Sequence, residues 1–192
     1  MRTAIFGGTF DPIHRAHLVV AGEAADALSL DQVLFIPAAH PPHKEAGTSY
    51  QHRYRMVDLA CSVDRRFVAS RLEEGREPSY SIHTIERVKA LGGDVFFLVG
   101  ADAFADIQTW YRWTDVVAQV EFIVVTRPGH NYERPPGARV RRLDTVALPV
   151  SSSEIRQALA RGETPAELPV NVVEYIRTNG LYAGRSVVES DR

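Results

Sequence analysis

A short apolar run, Ala4-Ile5-Phe6, passes straight into Gly7-Gly8-Thr9-Phe10-Asp11-Pro12-Ile13-His14-Arg15-Ala16-His17. This junction constrains the chain more than any other stretch. A buried strand has to end at the two glycines, turn through Asp11-Pro12 and enter a helix near His14. Glycines lack a Cβ, so their N–H groups can approach an anion closely, and a helix start adds unpaired donors at the positive end of its dipole. On that helix His14 and His17 share one face, both aimed at whatever the loop holds. The chemistry this suits is a polyphosphate gripped at the end of the first strand. The pattern is neither the P-loop, which needs Gly-Lys-Ser/Thr after its glycines, nor the G-x-G-x-x-G dinucleotide fingerprint. Gly-Gly alone is ordinarily a turn, and a lone histidine is ordinarily a satisfied or surface residue. The immediate succession of strand, Gly-Gly-Thr-Phe-Asp-Pro and His-x-x-His favours the phosphate site.

Beyond this junction, apolar runs alternate with helical patterns. Strands are predicted over Thr3–Phe6, Gln32–Ile36, Phe67–Ser70, Asp94–Val99 and Glu121–Thr126, and helices near Ala16–Leu28, Tyr50–Ser62, Ser81–Leu91 and Thr114–Ala118. Val95-Phe96-Phe97-Leu98-Val99 lacks polar alternation, as parallel strands covered on both faces do. The fold class read from these repeated βα units is α/β, a doubly wound parallel sheet with right-handed crossovers. Ligands of such sheets bind beyond the carboxyl ends of the strands. The loops at Gly7-Gly8, after Pro37 and at Gly100-Ala101-Asp102 all follow strands and can converge there. Arg127–Arg142, rich in Pro, Gly and Arg, reads as an exposed loop. Serine at 151–153 caps a helix running to about Ala160, and a last helix over Val170–Thr178 stops at Asn179-Gly180. Residues 1–184 are expected to form a single domain with a small C-terminal helical part at 151–184, and 185–192 a frayed tail.

Composition removes several function classes. Among 192 residues the net charge is −2, so no global basic field recommends a nucleic acid. The single Cys61 excludes an internal disulfide and reads as buried filler in an apolar run. The N-terminus enters a strand almost at once and no run reaches transmembrane length, so no signal peptide, no membrane partner and a cytoplasmic location are expected. A homo-oligomer stays open.

Three further constellations carry chemistry. Ser151-Ser152-Ser153-Glu154-Ile155-Arg156 places hydroxyls and free N–H groups at a helix start with an arginine fork one turn further in, a second anion cradle or a plain cap with a surface arginine. Pro37-Ala38-Ala39-His40-Pro41-Pro42-His43-Lys44 is a stiffened loop whose lysine can meet a phosphate. His40, His43 and His52 lack the cysteine and acid support of a zinc site, so no protein-bound metal is expected. The segments Ser79-Tyr80-Ser81-Ile82-His83-Thr84 and Trp110-Tyr111-Arg112-Trp113 suit a flat heteroaromatic ring or, equally often, a core. Trp110 is the candidate stacking platform and Trp113 the packing residue. No serine or cysteine has an activating base nearby, which fits phosphoryl-type transfer by alignment and charge neutralisation.

Together these segments, with Gly180-Leu181-Tyr182 near the end, resemble the bacterial nicotinate-mononucleotide (nicotinate-nucleotide) adenylyltransferase family, within the nucleotidyltransferases that carry a His-x-Gly-His signature. The resemblance runs through essentially the whole chain and implies a Rossmann-like nucleotidyltransferase fold. It implies transfer of AMP from ATP to nicotinate mononucleotide in NAD biosynthesis, giving nicotinate adenine dinucleotide and pyrophosphate without a covalent intermediate. His14, His17 and Arg156 are then the catalytic residues. Gly7, Gly8, Thr9, Phe10, Gly100, Asp102, Ser152 and Ser153 join them around ATP, with Asp102 at the ribose hydroxyls. Lys44, Ser81, Thr84, Trp110 and Tyr111 fall to nicotinate mononucleotide, and Mg²⁺ arrives with ATP. Two positions depart from the family pattern: Ala16 stands where glycine is usual, so its methyl can crowd a nucleotide, and His83 where an acid is common. The rival readings are the same transfer to nicotinamide mononucleotide or phosphopantetheine, and a catalytically silent nucleotide-binding regulator.

Overall fold

The computed structural model describes residues 1–41, 46–75, 78–127, 129, 131–146 and 150–184. The chain runs through strand β1 (Arg2–Gly8), helix α1 (Arg15–Ala27), β2 (Gln32–Pro37), α2 (Tyr50–Cys61), β3 (Phe67–Ala69) and α3 (Ser81–Ala90). It continues with β4 (Asp94–Gly100), α4 (Ala101–Ala105), a 3-10 turn at Ile107–Thr109, α5 (Trp113–Gln119), β5 (Glu121–Thr126) and β6 (Arg139–Asp144). Two helices follow, α6 (Ser152–Ala160) and α7 (Val170–Thr178).

All strand pairs are parallel, in the order β3-β2-β1-β4-β5-β6. Successive residues of the central strands face opposite layers, as a period of two requires. Ala4, Phe35, Leu98 and Ile123 enter one core with residues of α1, α2, α6 and α7. Ile5, Leu34, Phe97 and Phe122 enter the other with residues of α3, α4 and α5. The sheet is therefore doubly wound. From β1 the chain winds outward through β2 and β3, then crosses to β4 on the other side, so the topological switch lies between β1 and β4. Gly8 is in register with Pro37 of β2, which places the loops after both strands on one edge of the sheet.

The Arg127–Arg142 segment corrects the sequence reading. Its second part is β6, in register with β5 from Glu121↔Arg139 to Thr126↔Asp144. An edge strand needs only weak apolar patterning, and here only Val140 and Leu143 are apolar. Backbone pairing holds it, helped by the Arg141 Nε to Glu121 contact at 2.6 Å. The short α4 was also not foreseen: Gly100 ends a strand and caps a helix without any loop between them.

Candidate active site

The turn between β1 and α1 is built around Phe10, which takes the left-handed conformation at φ 48° although it is not glycine. Its ring lies over Gly8, where an added Cβ would stand 3.1 Å from it, so this position tolerates only glycine without a shift. The same ring backs His17 edge-on, with centroids 5.1 Å apart. His14 caps α1, and its backbone N–H donates to His17 Nδ1 at 3.2 Å. That bond puts the proton of a neutral His17 on Nε2, leaving an N–H to offer to a ligand. The two imidazole centroids are 3.8 Å apart.

Both histidines sit where a proton is unwelcome. Burial lowers the His14 pKa to about 4, only partly opposed by the carboxylate of Glu167. Burial, and then the neighbouring His14, hold His17 well below the ordinary histidine range. His14 is 4% exposed, and among the described residues its Nδ1 has no hydrogen-bond partner, an unusual state for a buried polar atom. Two neutral imidazoles thus lie side by side at the start of α1, each able to gain a proton if negative charge approaches.

Helix α6 approaches the same turn. Its start carries the expected cap: the Ser151 N–H donates to Glu154 Oε2 at 2.8 Å, and the Glu154 N–H to Ser151 Oγ at 3.2 Å. One turn on, Arg156 Nη1 donates to the Asp11 carbonyl at 2.7 Å, and Ser152 Oγ to the Pro12 carbonyl at 3.0 Å. The Ser-Ser-Ser-Glu-Ile-Arg segment and the opening loop are thereby held together. Ser153 is exposed on the first turn of α6.

Gly7 and Gly8 also line a cavity of about 620 Å³ with Ser81, Phe97, Trp110 and Tyr111. Trp110 stands edge-on to Phe97 at 5.7 Å, and Tyr111 stacks on Tyr80 at 4.4 Å and 24°. The β1–α1 turn and the aromatic cavity therefore share the glycines.

Residues 5–158 match the cytidylyltransferase-like family. Over 187 residues the chain is 57% identical to a Solibacter usitatus protein named "Probable nicotinate-nucleotide adenylyltransferase", covering 95% of this chain and all of that one. The chain belongs to the nicotinate-nucleotide adenylyltransferase family. A Thermus thermophilus member is 40% identical over 186 residues, with 95% of this chain and 100% of that protein covered. In fold, it is similar to the Plasmodium falciparum nicotinic acid mononucleotide adenylyltransferase complexed with NaAD, with a TM-score of 0.79 at 20% identity over 94% and 97% of the two chains.

Most positions that the family resemblance singles out come together: Gly7 to Phe10, His14, His17, Ser152 and Arg156 around the turn, and Ser81, Trp110 and Tyr111 around the cavity. Gly100 and Asp102 lie at the carboxyl end of β4. A Cβ at Gly100 would meet nothing within 4 Å, so protein packing does not demand glycine there. Thr84 does not itself line the aromatic cavity; it is buried, its hydroxyl donating at 2.6 Å to Oε1 of Glu73, which does. Lys44 lies outside the described residues. Cys61 is buried, and its thiol is pushed up to about 12 by burial, as filler should be. His83 is exposed, edge-on to the rings of Tyr80 and Tyr111 at 5.9 and 6.1 Å.

Sequence reasoning missed the residues beneath the turn. Arg53 is 1% exposed, donating Nη1 to the Thr9 carbonyl at 2.7 Å and Nε to the Thr48 carbonyl at 3.1 Å. A signal was present: Arg53, Met56, Val57 and Ala60 form one buried helical stripe, and a charged residue inside such a stripe needs a polar partner.

Proposed function

We propose that the protein transfers AMP from ATP to nicotinate mononucleotide, giving nicotinate adenine dinucleotide and pyrophosphate. A phosphate oxygen of the mononucleotide attacks the α-phosphorus of ATP in line. The bond to the α,β-bridging oxygen breaks, and its electron pair leaves with pyrophosphate. Such a reaction asks little covalent chemistry of a protein and much alignment and charge stabilisation.

In this reading the His17 Nε2–H and the buried His14 ring face the triphosphate, and rising charge on the leaving oxygens draws protons onto them. Arg156 keeps one N–H on the Asp11 carbonyl and directs other guanidinium donors to the β/γ end. Asp102 meets ribose hydroxyls, and Trp110 stacks on the pyridine while N–H groups near Ser81 and Tyr111 receive its carboxylate. Among the described residues no three His, Cys, Asp or Glu side chains converge to hold a metal, and Asp11 is already bonded by Gly47 and Tyr182. Mg²⁺ then belongs to the Mg-ATP substrate, held by phosphate oxygens and water.

The observation that carries this reading is the buried His14 ring beside His17, on a turn whose glycines Gly7 and Gly8 line the aromatic cavity. The test is pyrophosphate release from Mg-ATP with nicotinate mononucleotide, nicotinamide mononucleotide and phosphopantetheine in parallel. Strong preference for the acid form is expected. Turnover only with another acceptor would keep the ATP half and overturn Ser81, Trp110 and Tyr111. No turnover in protein that binds ATP would leave a silent regulator.

A further inference from the structure

Segments far apart in sequence meet on Asp11, a residue of the phosphate turn that is 4% exposed. Its carboxylate accepts from the Tyr182 hydroxyl at 2.5 Å and from the Gly47 N–H at 3.0 Å. Its carbonyl is the anchor of Arg156. Arg53 pins the neighbouring Thr9 carbonyl from the buried side. In a trans peptide the carbonyl and the following N–H point opposite ways, so this bond turns the Phe10 N–H away from Arg53. The turn that is to hold phosphates is thus fixed by Arg53, Tyr182 and the Gly47 N–H from behind, and by one N–H of Arg156.

Tyr182 reaches this place by a sharp reversal after α7. Gly180 takes φ 61°, the Leu181 N–H donates to the Ile176 carbonyl at 3.0 Å, and Tyr182 itself takes φ 60°. That left-handed conformation is unfavourable for a residue with a side chain, and it brings the hydroxyl onto Asp11. Burial and the Asp11 bond push the phenol far above its ordinary pKa, so it stays a donor throughout the working pH range. A phenol donating to a carboxylate is a charge-assisted hydrogen bond, stronger and more directional than a neutral one.

We propose that Tyr182 is a positioning residue for the triphosphate end of the site, acting through Asp11 on the Arg156 guanidinium and on the turn at 9–12. The proposal rests on the adenylyl-transfer reading. Tyr182 does not line the aromatic cavity, so its effect falls on ATP and not on the pyridine nucleotide.

The experiment removes one oxygen, Tyr182→Phe, in the full chain and measures kcat, both KM values and the melting temperature. Expected is a loss of about tenfold in kcat/KM for ATP, the scale of one hydrogen bond to a charged group, with KM for nicotinate mononucleotide within about twofold of wild type. A merely structural tyrosine would lower the melting temperature and leave both KM values alone. Unchanged ATP kinetics in the folded variant, or equal losses for the two substrates, overturn the proposal. If Tyr182→Phe does not fold, Asp11→Asn weakens the same bond from its other end and has to give the same split. Should wild type turn over no acceptor, the adenylyl-transfer reading fails first. Calorimetric binding of a non-hydrolysable ATP analogue then decides the positioning role alone: weakening of about tenfold in Tyr182→Phe supports it and equal affinity refutes it.

Discussion

In the proposed reading the β1–α1 turn is the triphosphate end of the cleft and the aromatic cavity the acceptor end; the turn is fastened by Arg53, Arg156 and Tyr182, which bring three other parts of the chain onto Thr9 and Asp11. At the acceptor end the walls are rings: Tyr80 stacks on Tyr111, which is 50% exposed, and Trp110 leans on Phe97. The segment carrying Tyr111 passes through Arg112 in the left-handed conformation before α5 begins. In that reading charge develops at the first end and hardly at all at the second. Fixed donors stabilise developing charge best when nothing must reorganise, whereas a flat ring can be recognised by groups that adjust around it. The contrast in fastening follows the contrast in chemistry.

The largest effect is expected where the fastening is tightest. His17→Ala removes an N–H aimed at the triphosphate and should reduce kcat by about 10²–10³, the scale of one lost donor to developing charge, with the circular dichroism unchanged. Near-normal kcat in folded His17→Ala would take the imidazole out of the reaction and dissolve the contrast. The buried histidines also predict how the empty protein responds to acid. Unfolded, His14 gains its proton near pH 6.5; folded, only near pH 4. Between those values the unfolded state binds more protons, so stability is complete above about pH 6.5 and declines as the pH drops toward 4, by roughly 3 kcal/mol for this group. Melting temperatures between pH 7 and 4.5 should therefore fall less steeply in His14→Gln than in wild type; equal slopes would place the proton uptake elsewhere.

At the acceptor end, Trp110→Ala should raise KM for the pyridine nucleotide by an amount worth roughly 1–3 kcal/mol of stacking, leaving KM for ATP nearly alone. An equal rise for ATP would show that the aromatic cavity is not the ring site. The smallest effect belongs to Ala16, which is buried in the first turn of α1. Ala16→Gly should keep or slightly improve kcat/KM for ATP, at a cost of about 0.5–1 kcal/mol in stability from the freer backbone. A large loss of activity would mean that the turn is packed around the methyl group.

Much of this was legible in the sequence, and unevenly. Buried parallel strands such as Val95–Val99 announce themselves because both faces are covered. The opening loop was legible because its residue types answer to a ligand and a helix start at once. β6 was not, since an edge strand is held by its ladder and shows polar side chains. Arg53 and Tyr182 were missed as site residues for a related reason. Their partners are backbone carbonyls and a distant carboxylate, which no local spacing reveals. Thr84, assigned to the ring site through the family resemblance, gives its hydroxyl to Glu73, which lines the aromatic cavity.

The strand that passed for a loop has one more consequence. As the last member of a parallel sheet, β6 leaves a row of backbone groups without a neighbouring strand among the described residues, the kind of border along which proteins stick to one another. Arg139, Arg141 and Arg142 are all exposed on it. Charged side chains of this kind are how natural edge strands discourage edge-to-edge pairing. The residues that disguised this strand in the sequence are also the type that guards such a border.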